Sequence, residues 1–244
     1  MRIPRLFHQI WVGPDPMPDE LAAYQPTWVE QNPGWELRFW TDDNLPEGCR
    51  RPEVYDPLRN VWERADILRL EVVYLFGGVH VDADFECLRP IEPLLGDAEF
   101  FIGYRKDTHV NGALFGAVAG HPLLDEGLRT IRPREDGAYD KDATGPKFLE
   151  ALLTDREGVV YFPSDVFYPR TPDEHDRAYA VHHKARGWKD EEGLRRSLKK
   201  AERRLEEAQR EARDWRRRYE EAEEELRRLK APSGGADPPP HQSG

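Results

Sequence analysis

Apolar positions recur along this chain at two different spacings, and the spacings divide it into elements. Over residues 61–76 the period is helical. Val61, Ala65, Leu68, Val72 and Leu75 share one face, and Ile67, Leu70, Val73 and Tyr74 widen it. Gly77 and Gly78 follow where a helix C-cap is expected. Shorter runs rich in β-branched and aromatic residues predict strands over 3–13, 35–40, 79–88, 99–104, 112–118, 159–162 and 178–183. Pro14, Pro16 and Pro18 forbid regular structure after the first run. Further helices are predicted over 20–31, 121–131 and 145–154, with a loop-rich stretch after Pro163. Strands alternating with helices imply an α/β fold with a mostly parallel central sheet.

Beyond residue 188 the pattern changes. Leu194, Leu198, Ala201, Leu205, Ala208, Ala212, Trp215, Tyr219, Ala222, Leu226 and Leu229 follow steps of four and three. Such a heptad seam predicts a long coiled-coil-like helix and a homodimer through residues 194–229. A lone solvated helix with i,i+4 ion pairs such as Glu206–Arg210, or a helix folded back on the domain, is the alternative. Residues 231–244, rich in Pro, Gly and Ser, cannot pack a core. The expected organisation is a domain over 1–188, a charged heptad helix over 189–230 and a disordered tail over 231–244.

Charge sharpens this division. The 244 residues carry 36 Lys plus Arg against 47 Asp plus Glu, a formal net charge of −11. Segment 189–230 holds 15 basic and 13 acidic residues, net +2, and the tail carries only Asp237, net −1, so the first 188 residues carry −12. An acidic domain is a poor duplex nucleic-acid binder, because phosphates need a basic face. No run is long and apolar enough to span a membrane, and the first residues lack the apolar core of a signal peptide. Cys49 and Cys87 have no metal or redox spacing and read as buried small hydrophobes. A cytoplasmic location is expected, and Arg outnumbering Lys 28 to 8 points to a GC-rich bacterial genome.

Asp82 and Asp84 are two apart, so on a regular strand their carboxylates share one face. A strand ending at a sheet edge presents such a pair at the carboxyl end, where open α/β sheets bind ligands. Two carboxylates that close need a cation, and hard oxygen ligands suit Mg²⁺ or Mn²⁺. Asp66 and Arg69 are three apart on the preceding helix, pointing away from its apolar stripe.

The stretch Ala65-Asp66-Ile67-Leu68-Arg69, then Leu75-Phe76-Gly77-Gly78-Val79-His80-Val81-Asp82-Ala83-Asp84, resembles the core of glycosyltransferase family thirty-two. These are DXD sugar-binding-region enzymes that include initiating mannosyltransferases and bacterial capsule glycosyltransferases. Four further segments agree: 3–11, Asn111-Gly112-Ala113 followed by Gly120-His121-Pro122, Thr144-Gly145-Pro146, and Val181-His182-His183 with Trp188. The resemblance covers 3–188 and not the remainder.

It implies a GT-A type fold and a retaining transfer of a hexose from a nucleotide-sugar donor to a glycan or other hydroxyl acceptor. Trp11 would stack on the base, and Asp66 and Arg69 would hold the donor sugar's hydroxyls. Asp82 would touch ribose and reach the metal through water, Asp84 would bind Mn²⁺ or Mg²⁺ directly, and His182 would be the third metal ligand, with His183 its rival. Asn111 would contact the sugar and Trp188 would close over the diphosphate. A UDP-sugar is favoured, since one Trp suits stacking on a small base. His80 stands where the family has Tyr, and Gly187 where it has Ser; neither change removes a metal ligand. An acidic domain that binds an anionic donor needs a divalent ion between the two. The alternatives are a non-catalytic scaffold that assembles through its coiled coil, and a haloacid-dehalogenase-type phosphohydrolase built on the same Asp-x-Asp.

Overall fold

The computed structural model describes residues 2–57, 59–106, 109–132 and 143–184, and further along 210, 213, 215–219 and 223. In chain order the elements are β1 (Leu6–Ile10), α1 (Asp19–Ala22), α2 (Gln25–Gln31), β2 (Glu36–Trp40), α3 (Val61–Phe76), β3 (Gly78–Val81), β4 (Phe85–Cys87) and α4 (Glu92–Leu95). Then come β5 (Phe100–Lys106), β6 (His109–Ala117), α5 (Pro122–Thr130), α6 (Pro146–Leu153), β7 (Val159–Phe162), α7 (Ser164–Phe167), α8 (Pro172–His175) and β8 (Ala180–His182).

Six strands form one sheet in the order β2-β1-β3-β6-β5-β7. β1 pairs parallel with β2 and β3, and β5 parallel with β7, while β6 runs antiparallel to both its neighbours. Five of the six strands therefore point the same way, and the expected mixed α/β fold with a mostly parallel sheet is borne out. β4 and β8 form a separate antiparallel pair, with Phe85 opposite His182.

The sheet separates two cores. α3, α5 and α6 bury Leu68, Val72, Leu128 and Leu149 against Phe100, Ile102 and Phe115 on one face. On the other face Phe7, Val79, Val81 and Phe101 meet Trp28, Trp35, Phe85 and Phe167. Each large apolar side chain fully buried this way contributes about 1.5–3 kcal/mol.

α3 starts where the Asn60 side chain accepts from the Trp62 amide, and it stops at Gly77, whose φ is 64°. Only glycine fits the next position. Gly78 has φ 97°, and a Cβ there would overlap the Leu6 carbonyl oxygen. This close approach lets β3 lie beside β1 directly after the helix.

Three expectations need correction. The predicted helix 20–31 is two helices, because Pro26 sits in the first turn of α2 and starts a new helix there. Asp82 and Asp84 lie off the strand, in a turn closed by the Phe85 amide bonding the Asp82 carbonyl at 3.1 Å. The loop-rich stretch after Pro163 holds α7 and α8.

By contacts the chain divides into Met1–Ala185 and Arg186–Gly244. Most of the heptad seam, together with Gly187 and Trp188, lies outside the described residues. Of the seam, Trp215 and Tyr219 are helical, and both are about 70% exposed (69% and 70%). Nothing in this supports a coiled coil.

Candidate active site

The site assembles where β3 gives way to the Asp82–Asp84 turn. The Asp82 amide donates to the Ala113 carbonyl at 2.8 Å, which fixes the turn to β6. The β4–β8 pairing then brings in His182. Its Nε2 lies 3.1 Å from Asp84 Oδ1. Asp82, Asp84 and His182 each offer a ligand atom, and these atoms all lie within 4.8 Å of one another. The His182 ring is held flat against Phe85, centroids 4.5 Å apart at 6°, with Tyr168 edge-on at 5.8 Å. Its Nδ1 is buried without a hydrogen-bond partner. Two carboxylates and an imidazole suit a divalent ion such as Mn²⁺, so the donor set fits one.

His183 turns to the other side of the ribbon. Its Nε2 is 2.9 Å from Glu86 Oε2, and its ring stacks on Tyr24 at 4.5 Å. Adjacent residues of a strand face opposite ways, so only His182 joins the cluster.

α3 supplies the opposite wall. Arg69 donates to the Asp66 carboxylate and, at 3.4 Å, to the Gly112 carbonyl. Although the pair points away from the apolar stripe of α3, it does not lie on a solvated face. Arg69 is buried, because α3 is covered on nearly all sides and the strand carrying Gly112 lies over it. Glycine at 112 leaves that room: a Cβ would intrude on Leu149 and approach the Arg69 guanidinium carbon at 3.6 Å. Thr144 Oγ1 approaches Asp66 Oδ2 at 3.4 Å. Burial pushes the Asp66 carboxyl above its ordinary range, only partly opposed by Arg69 and reinforced by the charge of Asp82.

At Asp82 the balance falls the other way. Burial is the strongest single influence and would raise its carboxyl, but the His80 hydrogen bond at 3.0 Å and the neighbouring His80, Arg69 and His182 together outweigh it. The net direction is down, so Asp82 stays a carboxylate. Burial holds His80 below the usual imidazole range. Neutral His80 then donates Nε2–H to Asp82, and its Nδ1 has no partner. The residue that departs from the family pattern thus braces the first Asp of the pair.

Asn111 borders the site from β6. It is buried, its Oδ1 accepts from the Ala113 amide at 3.0 Å, and its carbonyl accepts from Tyr168 at 3.4 Å. Trp11 follows the carboxyl end of β1, the same edge of the sheet. It is partly exposed, and its Nε1 donates to the Asp15 carbonyl at 2.8 Å. Trp188 is outside the described residues. Sequence reasoning gave no role to Tyr168, which no motif marks, or to Thr144, which the Thr-Gly-Pro segment did mark. Cys49 and Cys87 are free thiols, both pushed up to about 11 by burial, in keeping with inert packing.

The Asp-x-Asp turn, with Asp82 half-buried and Asp84 buried, thus lies across from the Asp66–Arg69 pair. Residues 18–101 match the glycosyltransferase sugar-binding region containing the DXD motif, so the resemblance read from the motifs is borne out. The chain is 27% identical over 165 residues to an uncharacterized glycosyltransferase of Acanthamoeba polyphaga mimivirus, covering 63% of this chain and 65% of that protein. It is 26% identical over 182 residues to inositol phosphoceramide mannosyltransferase 1 of Schizosaccharomyces pombe, covering 67% and 56%. It is 28% identical over 167 residues to a mannosyl phosphorylinositol ceramide synthase of Saccharomyces cerevisiae, covering 62% and 41%. The chain thus spans less than two thirds of the length of these relatives. Viral and yeast relatives lend no support to the bacterial source inferred from composition. A solved structure titled PaToxG glycosyltransferase aligns with a TM-score of 0.48 at 15% identity, over 62% of this chain and 68% of that one. No helix among the described residues is long and apolar enough to cross a membrane.

Proposed function

We propose that this chain is a metal-dependent, retaining hexosyltransferase of GT-A type. It would move a hexose from a nucleotide diphosphate sugar to a hydroxyl acceptor on a glycan or another molecule. The reading rests most on one convergence: Asp82, Asp84 and His182 within 4.8 Å, facing the buried Asp66–Arg69 pair. Asp84 and His182 would hold Mn²⁺ or Mg²⁺ directly, and Asp82 would reach it through water. When bound, the ion would offset the charge that gathers on the departing diphosphate.

The rest is done by the chain. Asp66 and Arg69 bind the donor hexose's hydroxyls and orient its ring against Asn111. Arg69 is pinned between Asp66 and the Gly112 carbonyl, so it is positioned before the donor arrives. Trp11 stacks on the nucleobase, which favours a uridine donor. The names of the yeast relatives put mannose forward as the hexose. No separate general base is required, because in a front-face retaining transfer the departing phosphate takes the acceptor proton.

Residues 194–229 are proposed to mediate self-association, and the location proposed is the cytoplasm. Sedimentation of the full chain beside residues 1–188 tests the first point, and identical monomers would end it. For the activity, a thermal-shift panel of UDP- and GDP-hexoses with and without Mn²⁺ is decisive. At least one should stabilise the chain in a metal-dependent way, and Asp84→Ala should remove the effect. No metal-dependent stabilisation by any donor would overturn the enzyme reading in favour of a non-catalytic scaffold.

A further inference from the structure

Along the same edge of the sheet, past Asn111, lies a second concavity of about 470 Å³. The strand order from the Asp82 turn is β3, β6, β5, β7. At about 4.8 Å between strands, β5 lies roughly 10 Å and β7 roughly 14 Å from β3. Tyr104 of β5 and Tyr161 of β7 form the wall, their rings stacked with centroids 5.3 Å apart at 18°. Ser164 and Asp165 of α7 and Glu174 of α8 complete it. The Tyr161 hydroxyl is spent inward, donating to the Leu153 carbonyl and accepting from the Arg156 amide, so this ring is fixed. Glu174 gives one oxygen to the Arg170 amide at 2.6 Å. Among the described residues no hydrogen bond takes up the Asp165 carboxylate.

We infer that this pocket receives the acceptor of the transfer, as a neutral polyhydroxylated ring lying on the Tyr104–Tyr161 pair. The inference rests on the transferase reading above and gives its substrate a place. A rigid aromatic wall offers a flat apolar face to the C–H side of such a ring. Carboxylates are acceptor-only groups, matched to a ring's many hydroxyl donors. Two carboxylates at the pocket repel a phosphorylated or carboxylated ring, so the portion bound here is uncharged. The placement is also that of a second substrate. A donor sugar held at Asp66, Arg69 and Asn111 has β5 and β7 as its next neighbours along the edge.

The test uses the full chain and saturation-transfer NMR with three defined probes: methyl α-D-mannopyranoside, methyl β-D-galactopyranoside and myo-inositol. At least one should receive saturation from the protein's aromatic protons. Tyr104→Ala should cut that signal fivefold or more, and the surface substitution Asp165→Asn should cut it about threefold. The thermal shift with UDP or GDP and Mn²⁺, run on the same samples, should stay as in the wild type, which also shows that the variants fold. No signal from any probe, or a signal that both variants retain, overturns the inference. A nucleotide shift without a Tyr104-dependent probe signal overturns the acceptor pocket alone. A Tyr104-dependent signal without any nucleotide shift overturns the transferase reading alone and leaves a carbohydrate site.

Discussion

Asp84 and His182 meet across the β4–β8 pair, with Oδ1 and Nε2 3.1 Å apart. Asp84 lies near the middle of the described domain and His182 near its end, so the candidate site gains its third ligand only once β8 has paired with β4. His182→Ala should therefore remove a ligand while sparing the sheet. The expected result is at least a tenfold loss of Mn²⁺ affinity, read by metal titration of the thermal shift. Stability without metal should fall by only about 1 kcal/mol, the worth of the stack on Phe85. Mn²⁺ binding equal to the wild type would remove His182 from the site.

The buried pair on α3 makes a different prediction. Arg69→Met leaves the Asp66 carboxylate facing Asp82 with nothing to balance it. Removing one partner of a buried ion pair is strongly destabilising. Asp66 keeps some exposure, so the expected cost is about 2–3 kcal/mol rather than the full value for a sealed pair. Adding Asp66→Asn should restore part of the loss, because the stranded charge is gone. Denaturant midpoints of the two single variants and the double variant check this. A double variant less stable than the sum of the singles contradicts it.

Gly78→Ala probes the backbone beneath the site. The position holds φ 97°, and a methyl group there overlaps the Leu6 carbonyl oxygen across the β1–β3 pairing. Strain at such a φ and the forced shift of β1 together should cost at least about 2 kcal/mol. The comparison is Gly96→Ala, where φ is also positive but nothing lies within 4 Å. Melting temperatures should fall clearly further for Gly78→Ala, and equal losses would deny the close approach.

How far these features were legible in the sequence depends on what each residue pattern can encode. α3 was read to its ends, since sixteen residues of helical period stop at a glycine pair. β7 was also read to its ends from its apolar run. The break in 20–31 was missed because a proline that breaks one helix equally well opens the next at its first turn. The Asp82–Asp84 spacing is the same in a strand and in a turn, so sequence placed the carboxylates together but on the wrong kind of backbone. His182 and His183 were rivals because the sequence does not give the parity of a three-residue strand; the pairing of Phe85 with His182 does. Tyr104 and Tyr161 are far apart in the chain and become neighbours only through the parallel β5–β7 pairing.

The last prediction concerns His8, which lies under α3 beside the site and is fully buried. The indole Nε1–H of Trp40 donates to its Nδ1 at 3.0 Å, and its Nε2 donates to the Gly77 carbonyl at 2.8 Å. Both ring nitrogens are thus used by the neutral imidazole, in a single tautomer. Burial pushes the pKa down to about 4, against the upward pull of the Gly77 carbonyl and with a further push from His80. In the unfolded chain the value returns to about 6.5. Between those limits the unfolded state binds more protons than the folded state, so stability falls as pH drops from 6.5 towards 4. The full effect is about 3 kcal/mol. His80 and His121, also held down by burial, slope the same way, so the wild-type curve alone does not isolate His8. His8→Gln keeps a donor for Gly77 but has no titrating proton. Urea unfolding in chelator at pH 7.5, 6 and 5 should show the wild type losing about 2 kcal/mol more than His8→Gln across that range. Parallel stability curves would mean that His8 titrates normally and that its burial between Trp40 and Phe76 does not set its charge.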